Sequence, residues 1–236
     1  MQWADLGPAL GLSRQELVSF VGGGGKTSAV FALAEHRSGR RIVTTTTKMG
    51  RERTGGLPVL LNPSDQDIAA GLETNPALLV WGAVDEHRAV GVSTADCDRW
   101  MHLADTVAVE ADGSRRRPFK APAAYEPVIP AATTTLVACV GLAAVNAPIA
   151  EGCHRPELVA GLLGCDEADR LTAERLVTVL LSDQGSRREC PDHARFAVLL
   201  NRCTPERQTL ADEVRERIAT ADPAVTTVVI DEMPPG

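Results

Sequence analysis

The residues with the clearest chemical signature form one unbroken stretch, which consists of Gly22, Gly23, Gly24, Gly25, Lys26, Thr27 and Ser28. The backbone N–H groups of a glycine loop can converge on a phosphate, and the N-terminus of a following helix adds partial positive charge. A lysine after such a loop contacts the β- and γ-phosphates, and the next hydroxyl binds magnesium. The stretch predicts a nucleotide site in which Lys26 is catalytic and Thr27 is a metal ligand.

The spacing of this stretch departs from the usual phosphate loop, which places its first glycine where this chain has Phe20. The glycines instead match loops of the G-G-x-G-K-T kind, in which they lie close to the lysine. A dinucleotide-binding loop fits less well, because its third glycine would fall at Thr27 and threonines occupy residues 44–47, where an acid is expected. A glycine turn that binds nothing would not need the lysine and threonine. We therefore favour a phosphate loop.

Two carboxylates at the end of a later apolar segment fit the same chemistry. The segment TVAVEADG predicts a strand that ends in Glu110 and Asp112, and strand alternation places both on one side. A phosphate loop needs such a group to hold the magnesium shell or to align water. We expect Asp112 to serve the metal, with Glu110 as the second candidate or as the group that positions water. The alternative is that one of them caps the following turn.

Polar side chains at two further strand ends fall where ligands of open α/β sheets bind. Thr46 and Thr47 can meet magnesium or the γ-phosphate, although threonine is also an ordinary strand residue. Asn201 occupies the asparagine position of the N-K-x-D element of GTPases, but Thr204 replaces the aspartate that reads guanine. Because the Asn201 amide can pair with adenine, we expect ATP; the alternative is an asparagine of a turn.

The elements that position these residues alternate along the chain, which is typical of a parallel α/β sheet. Strands are predicted at LVSFV, RIVTTTT, LPVLL, TVAVEADG, LVACVGL, FAVLLNRC and VTTVVID. Helices are predicted after the glycines, after Ser64, over TADCDRWMHLA, over residues 157–181 with a break near Gly164, and over PERQTLADEVRERIATA. A polar turn at residues 85–87 predicts an inserted β-hairpin. We expect a three-layer α/β fold of the phosphate-loop NTPase kind, with residues 1–236 as one domain.

The composition restricts the class of partner. A net charge of −7 argues against nucleic acid, and no apolar segment reaches the roughly 18 residues of a membrane span. The first residues lack the basic and apolar regions of a signal peptide, so we expect a cytoplasmic protein. The six cysteines include no C-x-x-C pair, which predicts buried, reduced thiols and not a zinc site.

Taken together, these motifs resemble the YqeC family, whose members are named as accessory proteins of selenium-dependent hydroxylases or as selenium cofactor biosynthesis proteins. The matching segments are VGGGGKTS, VTTTTKM, VEADGSRRRPFKAPAAYEPVIP, VGLAAVNAPI, CHRPE and VLLN, in order from about residue 17 to 201. The EADGS…FKAP…EPVIP block is the most specific of them. The chain departs from the family pattern in the three arginines at residues 115–117 and in NRC at residues 201–203.

The resemblance implies a nucleotide-binding protein whose partner is a molybdenum hydroxylase or the proteins that mature its cofactor. It makes Lys120, Tyr125 and Glu126 candidates for a family-specific site. His154 and Arg155 of CHRPE are candidates for a substrate or metallocofactor contact, with a surface histidine near a helix cap as the alternative.

We therefore expect a maturation protein that binds ATP and magnesium and hydrolyses ATP, with charge stabilised by Lys26, magnesium and an arginine from residues 115–117. Two alternatives stay open. One is a nucleotide-gated binding module or chaperone for selenium or the molybdenum cofactor, with little hydrolysis. The other is a small-molecule kinase or ligase with Lys120 or His154 at the acceptor. A homodimer is also left open.

Overall fold

The computed structural model describes residues 1–231, which form alternating strands and helices. The strands are β1 (Glu16–Gly22), β2 (Arg41–Thr45), β3 (Lys48–Gly50), β4 (Val59–Leu61), β5 (Ala77–Trp81), β6 (Ala83–Val84), β7 (Arg88–Val90), β8 (Thr106–Glu110), β9 (Phe119–Lys120), β10 (Thr135–Gly141), β11 (Cys153–His154), β12 (Arg195–Cys203) and β13 (Thr226–Asp231). The helices are α1 (Leu6–Ala9), α2 (Lys26–His36), α3 (Asp65–Thr74), α4 (Thr94–Trp100), α5 (Ile149–Gly152), α6 (Pro156–Leu163), α7 (Ala173–Leu181) and α8 (Gln208–Ala221).

Eight of these strands form one parallel sheet in the order β13-β12-β10-β1-β8-β2-β5-β4. Strand β1 lies in the interior, between β8 and β10, and its register places Phe20 opposite both Glu110 and Val137. After β1 the chain forms β2, β4, β5 and β8, which all lie on one side of β1 in the strand order. It then forms β10, which lies on the other side of β1. Ligands of open α/β sheets bind at the carboxyl ends of strands at such a reversal, which here is the end of β1.

The two faces of the sheet are covered by different helices, which gives three layers. Leu17 and Val21 of β1 face a core cluster with residues of α3, α4, α6, α7 and α8. Val18 and Phe20 face a second cluster with residues of α1 and α2. Because both faces are covered, β1 and β10 are buried along their whole length and read as apolar runs. The predicted three-layer α/β fold is confirmed.

Local signals define where the helices begin and end. The Ser64 hydroxyl oxygen accepts a hydrogen bond from the Asp67 N–H group at 3.2 Å, and the Ser64 N–H group donates to Asp67 Oδ2 at 2.9 Å. The same capping box, in which the side chain at the cap and the one three residues later each satisfy a backbone N–H group, starts α4 at Ser93. Helix α6 ends at Leu163 and is followed by the capping residue Gly164, which has a φ of 62°. The predicted cap at Ser64 and the predicted break at Gly164 are therefore confirmed.

A second, antiparallel sheet contains the predicted hairpin. Strands β6 and β7 pair around a turn in which the Asp85 N–H group donates to the Arg88 carbonyl at 2.8 Å. The sequence reasoning missed β3, which pairs with β7 and extends the hairpin to three strands. The Gly91 N–H group donates to the Thr47 carbonyl at 2.6 Å, so this small sheet is fixed to the carboxyl end of β2.

A third pairing joins two segments that are far apart in sequence. Strands β9 and β11 are parallel and two residues long, with Phe119 opposite Cys153 and Lys120 opposite His154. The pair brings the FKAP segment beside CHRPE. A two-residue strand has no periodicity to detect, and this contact was not predicted.

The remaining sequence expectations concern cysteines and membrane spans. All six cysteines are free thiols; four are buried, and Cys165 and Cys190 are partly exposed. Burial raises the pKa of the Cys97 and Cys139 thiols. Among residues 1–231, no helix combines the length and the apolar character that crossing a membrane requires.

Candidate functional site

The glycine loop follows β1 directly and requires glycine for steric reasons. Gly22 has a φ of 89°, and a Cβ atom there would lie 2.5 Å from the carbonyl oxygen of Cys139 in β10. Gly25 has a φ of 137°, and a Cβ atom there would overlap the amide of Asn201. Both positions therefore combine a left-handed backbone with a close neighbour, a combination that excludes other residues.

Asn201 at the end of β12 fastens this loop. Its Nδ2 atom donates to the Gly24 carbonyl at 3.0 Å, and its Oδ1 atom accepts from the Arg202 N–H group at 2.8 Å. Both amide atoms thus have protein partners. The structure gives Asn201 a positioning role, and its pairing with adenine stays a prediction.

Lys26, the first residue of α2, is folded beneath the loop and only 3% exposed. Its Nζ atom donates to the Gly22 carbonyl at 2.5 Å and lies 3.2 Å from Asp112 Oδ1. Glu110 Oε1 is 4.0 Å away. Burial lowers the pKa of Lys26, but the charges of Asp112 and Glu110 outweigh this and raise the pKa above its usual value. Lys26 is therefore a cation at neutral pH.

Glu110 and Thr27 form an oxygen pair at the edge of the cleft. The Thr27 hydroxyl donates to Glu110 Oε2 at 2.8 Å. Burial raises the pKa of Glu110, although Lys26 and the Thr27 hydroxyl lower it in part. Within residues 1–231, no three His, Cys, Asp or Glu side chains are grouped as a metal site. This donor set fits magnesium, which prefers oxygen ligands and completes its shell with water and phosphate.

Asp112 is enclosed behind the glycine loop, and its role in the magnesium shell stays a prediction. It is 2% exposed, and its Oδ2 atom accepts from the Gly22 N–H group at 3.0 Å. The same oxygen lies 3.1 Å from Lys120 Nζ. These contacts enclose Asp112 behind the loop, whereas Glu110 lines the cleft beside Thr27. Asp112 instead holds the end of β1 and the Lys26 ammonium group in place.

A buried ion-pair network of alternating sign connects the loop to the family-specific block and comprises Lys26, Asp112, Lys120, Glu126 and Arg155. Lys120 Nζ lies 2.5 Å from Glu126 Oε2, and Arg155 Nη1 lies 2.7 Å from the same oxygen. Burial raises the pKa of Glu126, but hydrogen bonds from Arg155 and Lys120 outweigh this and lower it below its usual value. The side chains are 1% exposed at Lys120 and 18% at Arg155, so the network runs from the interior towards the cleft.

The outer end of this network lies in a group of residues that we call the arginine end, which comprises Arg115, Arg116, Tyr125, His154 and Arg155. Arg155 Nη2 donates to the Tyr125 hydroxyl at 2.9 Å, and the guanidinium lies 5.5 Å from the centre of the Tyr125 ring. Tyr125 is 73% exposed. The pKa of His154 is lowered by burial and then by the charges of Arg155, Lys120 and Arg115.

The two threonines after β2 have separate places. The Thr46 hydroxyl donates to the Val128 carbonyl at 2.6 Å and so fastens the EPVIP segment to the main sheet. The Thr47 side chain lines the cleft. Of this pair, Thr47 is the one placed to meet a ligand.

A cleft of about 1040 Å³ contains both the glycine loop and the arginine end. Its lining includes Lys26, Thr27 and Ser28, and it brings together most of the predicted site residues. Sequence reasoning missed further lining residues, among them Arg53, His87 and Arg88. The polar turn at residues 85–87 could have indicated His87 and Arg88, because it follows β5, whose carboxyl end lies at this edge of the sheet.

Comparisons with known proteins agree on one family. Residues 18–157 match the family model described as YqeC protein. The chain is also 31% identical over 197 residues to a protein of Escherichia coli strain K12 described as "Uncharacterized protein YqeC", a match that covers 80% of this chain and 77% of that relative. No solved structure matches significantly. The family match includes the glycine loop and the whole ion-pair network.

Proposed function

The chain belongs to the YqeC family, and we propose that it binds a magnesium–nucleoside triphosphate at the glycine loop and uses it in the maturation of a selenium-containing molybdenum hydroxylase. The placement of Lys26, Thr27 and Glu110 around the carboxyl end of β1 carries the nucleotide part. The client is what the family resemblance implies. ATP is the preferred nucleotide in this proposal, because Thr204 offers no carboxylate to guanine.

In this proposal each side chain at the loop has a separate task. Lys26 exchanges the Gly22 carbonyl and Asp112 for phosphate oxygens when the nucleotide binds. Thr27 and Glu110 supply oxygen atoms for the magnesium shell. Magnesium, when bound, offsets negative charge on the β- and γ-phosphates. Asp112 and Asn201 keep the loop in the conformation that presents its N–H groups.

A second candidate is the nucleotide-gated binding module with little hydrolysis. The observation that favours it concerns the contacts of Glu126 and Glu52, the two carboxylates besides Glu110 that line the cleft. Glu126 is engaged by Lys120 and Arg155, and Glu52 is 62% exposed and pairs with the adjacent Arg53 at 3.7 Å. Within the described residues, no contact holds either carboxylate beside the loop to activate water, so hydrolysis by the isolated protein is expected to be slow.

Titration with magnesium and either ATP or GTP tests the binding step. Lys26→Ala is expected to weaken ATP binding roughly tenfold to a hundredfold, because it removes a charge-assisted contact. Thr27→Ala is expected to remove the dependence of affinity on magnesium, and Thr27→Ser to restore it. Arg215→Ala, an exposed change on α8, is the control. Equal and negligible binding by wild type and Lys26→Ala would refute the proposal.

Turnover separates the two candidate functions. ATP hydrolysis is measured with the isolated protein and with a selenium-dependent molybdenum hydroxylase added. Stimulation by the hydroxylase that Lys26→Ala abolishes supports the maturation function with hydrolysis. Binding of the hydroxylase that depends on nucleotide without turnover supports the gated module. A hydroxylase that neither binds nor stimulates contradicts the client part of the proposal.

A further inference from the structure

The arginine end has features of a binding site that the nucleotide does not account for. The cleft is lined by three carboxylates, Glu52, Glu110 and Glu126, and by eight cations, Lys26, Lys48, Arg53, Arg88, Arg115, Arg116, Arg155 and Arg202. The whole chain has a net charge of −7, so the charge of the cleft lining is opposite in sign to that of the chain. Lys26 and Lys48 pair with Asp112 and Asp85, which are not part of this lining, whereas Arg115 and Arg116 are exposed.

We propose that the arginine end binds a second small molecule through an oxyanion group, beside the nucleotide. This inference rests on the proposed function for the identity of the neighbouring ligand. It adds a substrate class, a molecule bearing a phosphate or a carboxylate, to the same cleft.

Two guanidinium groups of the arginine end, those of Arg115 and Arg116, are available to a ligand. The Arg115 side chain makes no hydrogen bond or ion pair within the described residues, and it is exposed. Arg116 has a single distant partner, the exposed Glu52 carboxylate at 3.8 Å. Clustered cations without counter-charges concentrate anions, and a planar guanidinium matches the geometry of carboxylate and phosphate oxygens.

The backbone holds these arginines in an unusual conformation. Arg115, Arg116, Arg155 and Arg202 have φ values of 46°, 64°, 57° and 60°. They are four of the seven non-glycine residues with positive φ in the part of the chain that the structure describes, and all four line the cleft. This region disfavours residues with a Cβ atom and, outside glycine, is occupied mainly by asparagine, aspartate and histidine. Such conformations cluster where a structure aims side chains at a ligand.

Arg155 and Tyr125 are arranged before any ligand arrives. Glu126 and the Tyr125 hydroxyl fix two nitrogens of the Arg155 guanidinium, so little side-chain freedom remains to be lost on binding. Tyr125 is the single tyrosine of the chain and exposes its ring beside this cation. The ring offers a flat apolar surface to the body of a ligand whose oxyanion contacts the arginines.

Equilibrium dialysis with labelled anions tests this inference. The loop is first saturated with magnesium and a non-hydrolysable ATP analogue, and the protein is dialysed against [32P]orthophosphate or [14C]malonate. Wild type is expected to retain one anion, and the preferred one identifies the ligand as a phosphate or a carboxylate. The double variant R115A/R116A is expected to weaken retention by about tenfold. The matched control is R215A/R217A, which removes two exposed arginines of α8.

The outcomes separate this inference from the nucleotide proposal. The same dialysis is repeated without nucleotide on wild type, Lys26→Ala and R115A/R116A. Retention that survives Lys26→Ala and falls in R115A/R116A supports the second site, even if no nucleotide binds. Retention that falls in Lys26→Ala and survives in R115A/R116A places the anion in the glycine loop and overturns the inference. Equal retention by wild type and R115A/R116A in every arm also overturns it.

Discussion

The glycine loop and the arginine end lie in one cleft but present positive charge in different ways. The loop carries one lysine that is 3% exposed, and glycines with left-handed backbones keep its shape. The arginine end uses exposed guanidinium groups on residues that themselves have left-handed backbones. The difference indicates that substitution in the loop alters backbone geometry, whereas substitution of Arg115 or Arg116 changes charge with little effect on folding.

The largest loss of stability is expected when Lys120, which connects the two regions through Asp112 and Glu126, is removed. Lys120→Ala leaves Asp112 and Glu126 buried without the cation between them, which destabilises the fold by about 3–5 kcal/mol. Denaturant unfolding measures this. Lys48→Ala breaks an exposed pair with Asp85 at 3.6 Å and is expected to cost less than about 1 kcal/mol. Similar losses in both variants would mean that the two regions are not coupled through Lys120.

Replacing one glycine in each region by alanine tests how strongly stability and nucleotide binding depend on the backbone there. Gly22→Ala is expected to destabilise the protein by roughly 1–3 kcal/mol from its left-handed backbone alone, and to abolish nucleotide binding because the Cys139 carbonyl forces the loop to move. Gly113→Ala near the arginine end meets no atom within 4 Å and is expected to stay within about 0.5 kcal/mol of wild type. Thermal unfolding and ATP titration measure both. An undisturbed Gly22→Ala would contradict the steric account of the loop.

Asn201 allows a milder test of the loop. Asn201→Ala removes the hydrogen bond to the Gly24 carbonyl and is expected to weaken nucleotide binding by about tenfold. Asn75→Ala removes a similar bond, 3.1 Å from Nδ2 to the Gly71 carbonyl, outside the cleft. Calorimetric titration should show unchanged affinity for this control. If Asn201→Ala and wild type bind the nucleotide with equal affinity, Asn201 has a structural role in the turn only.

The stability contributions of Glu110, at the glycine loop, and of Glu126, which contacts Arg155 of the arginine end, are expected to change with pH in opposite directions. The folded pKa of Glu126 lies below its ordinary value of 4.5, so its stabilising contribution is present above pH 4.5 and is lost as pH falls through the folded pKa. The folded pKa of Glu110 lies above 4.5, so its contribution is present below pH 4.5 and is lost as pH rises through the folded pKa. Unfolding free energies of wild type, Glu126→Gln and Glu110→Gln across this range test the signs. Parallel profiles of the two variants would contradict them.

Sequence reasoning succeeded where a local signal determines structure. The β1 strand, the glycine loop and the start of α2 follow from contiguous residues, and the capping pair of Ser64 and Asp67 marks a helix start within four positions. Alternation also placed Glu110 and Asp112 on one side. It did not show which carboxylate reaches the cleft, because Asp112 lies two residues beyond β8 and its direction depends on the Gly22 N–H group.

The parts that sequence reasoning missed depend on contacts between distant segments. The pairing of Lys120 with His154 involves two-residue strands 34 positions apart, which carry no periodic pattern. The sequence offered Lys120, Glu126 and Arg155 as separate candidates. Their arrangement as one network follows only from the β9–β11 pair and from the folding of the EPVIP segment against Thr46.

The ion-pair network carries no net charge once its contact with Glu110 is included. Lys26, Lys120 and Arg155 supply three positive charges, and Asp112, Glu126 and Glu110, which lies 4.0 Å from Lys26, supply three negative charges. A balanced network needs no counter-ion from solution, and buried pairs are screened much less than exposed ones. The stability that depends on Lys120 is therefore expected to change little with ionic strength, and a marked loss of it at high salt would contradict this.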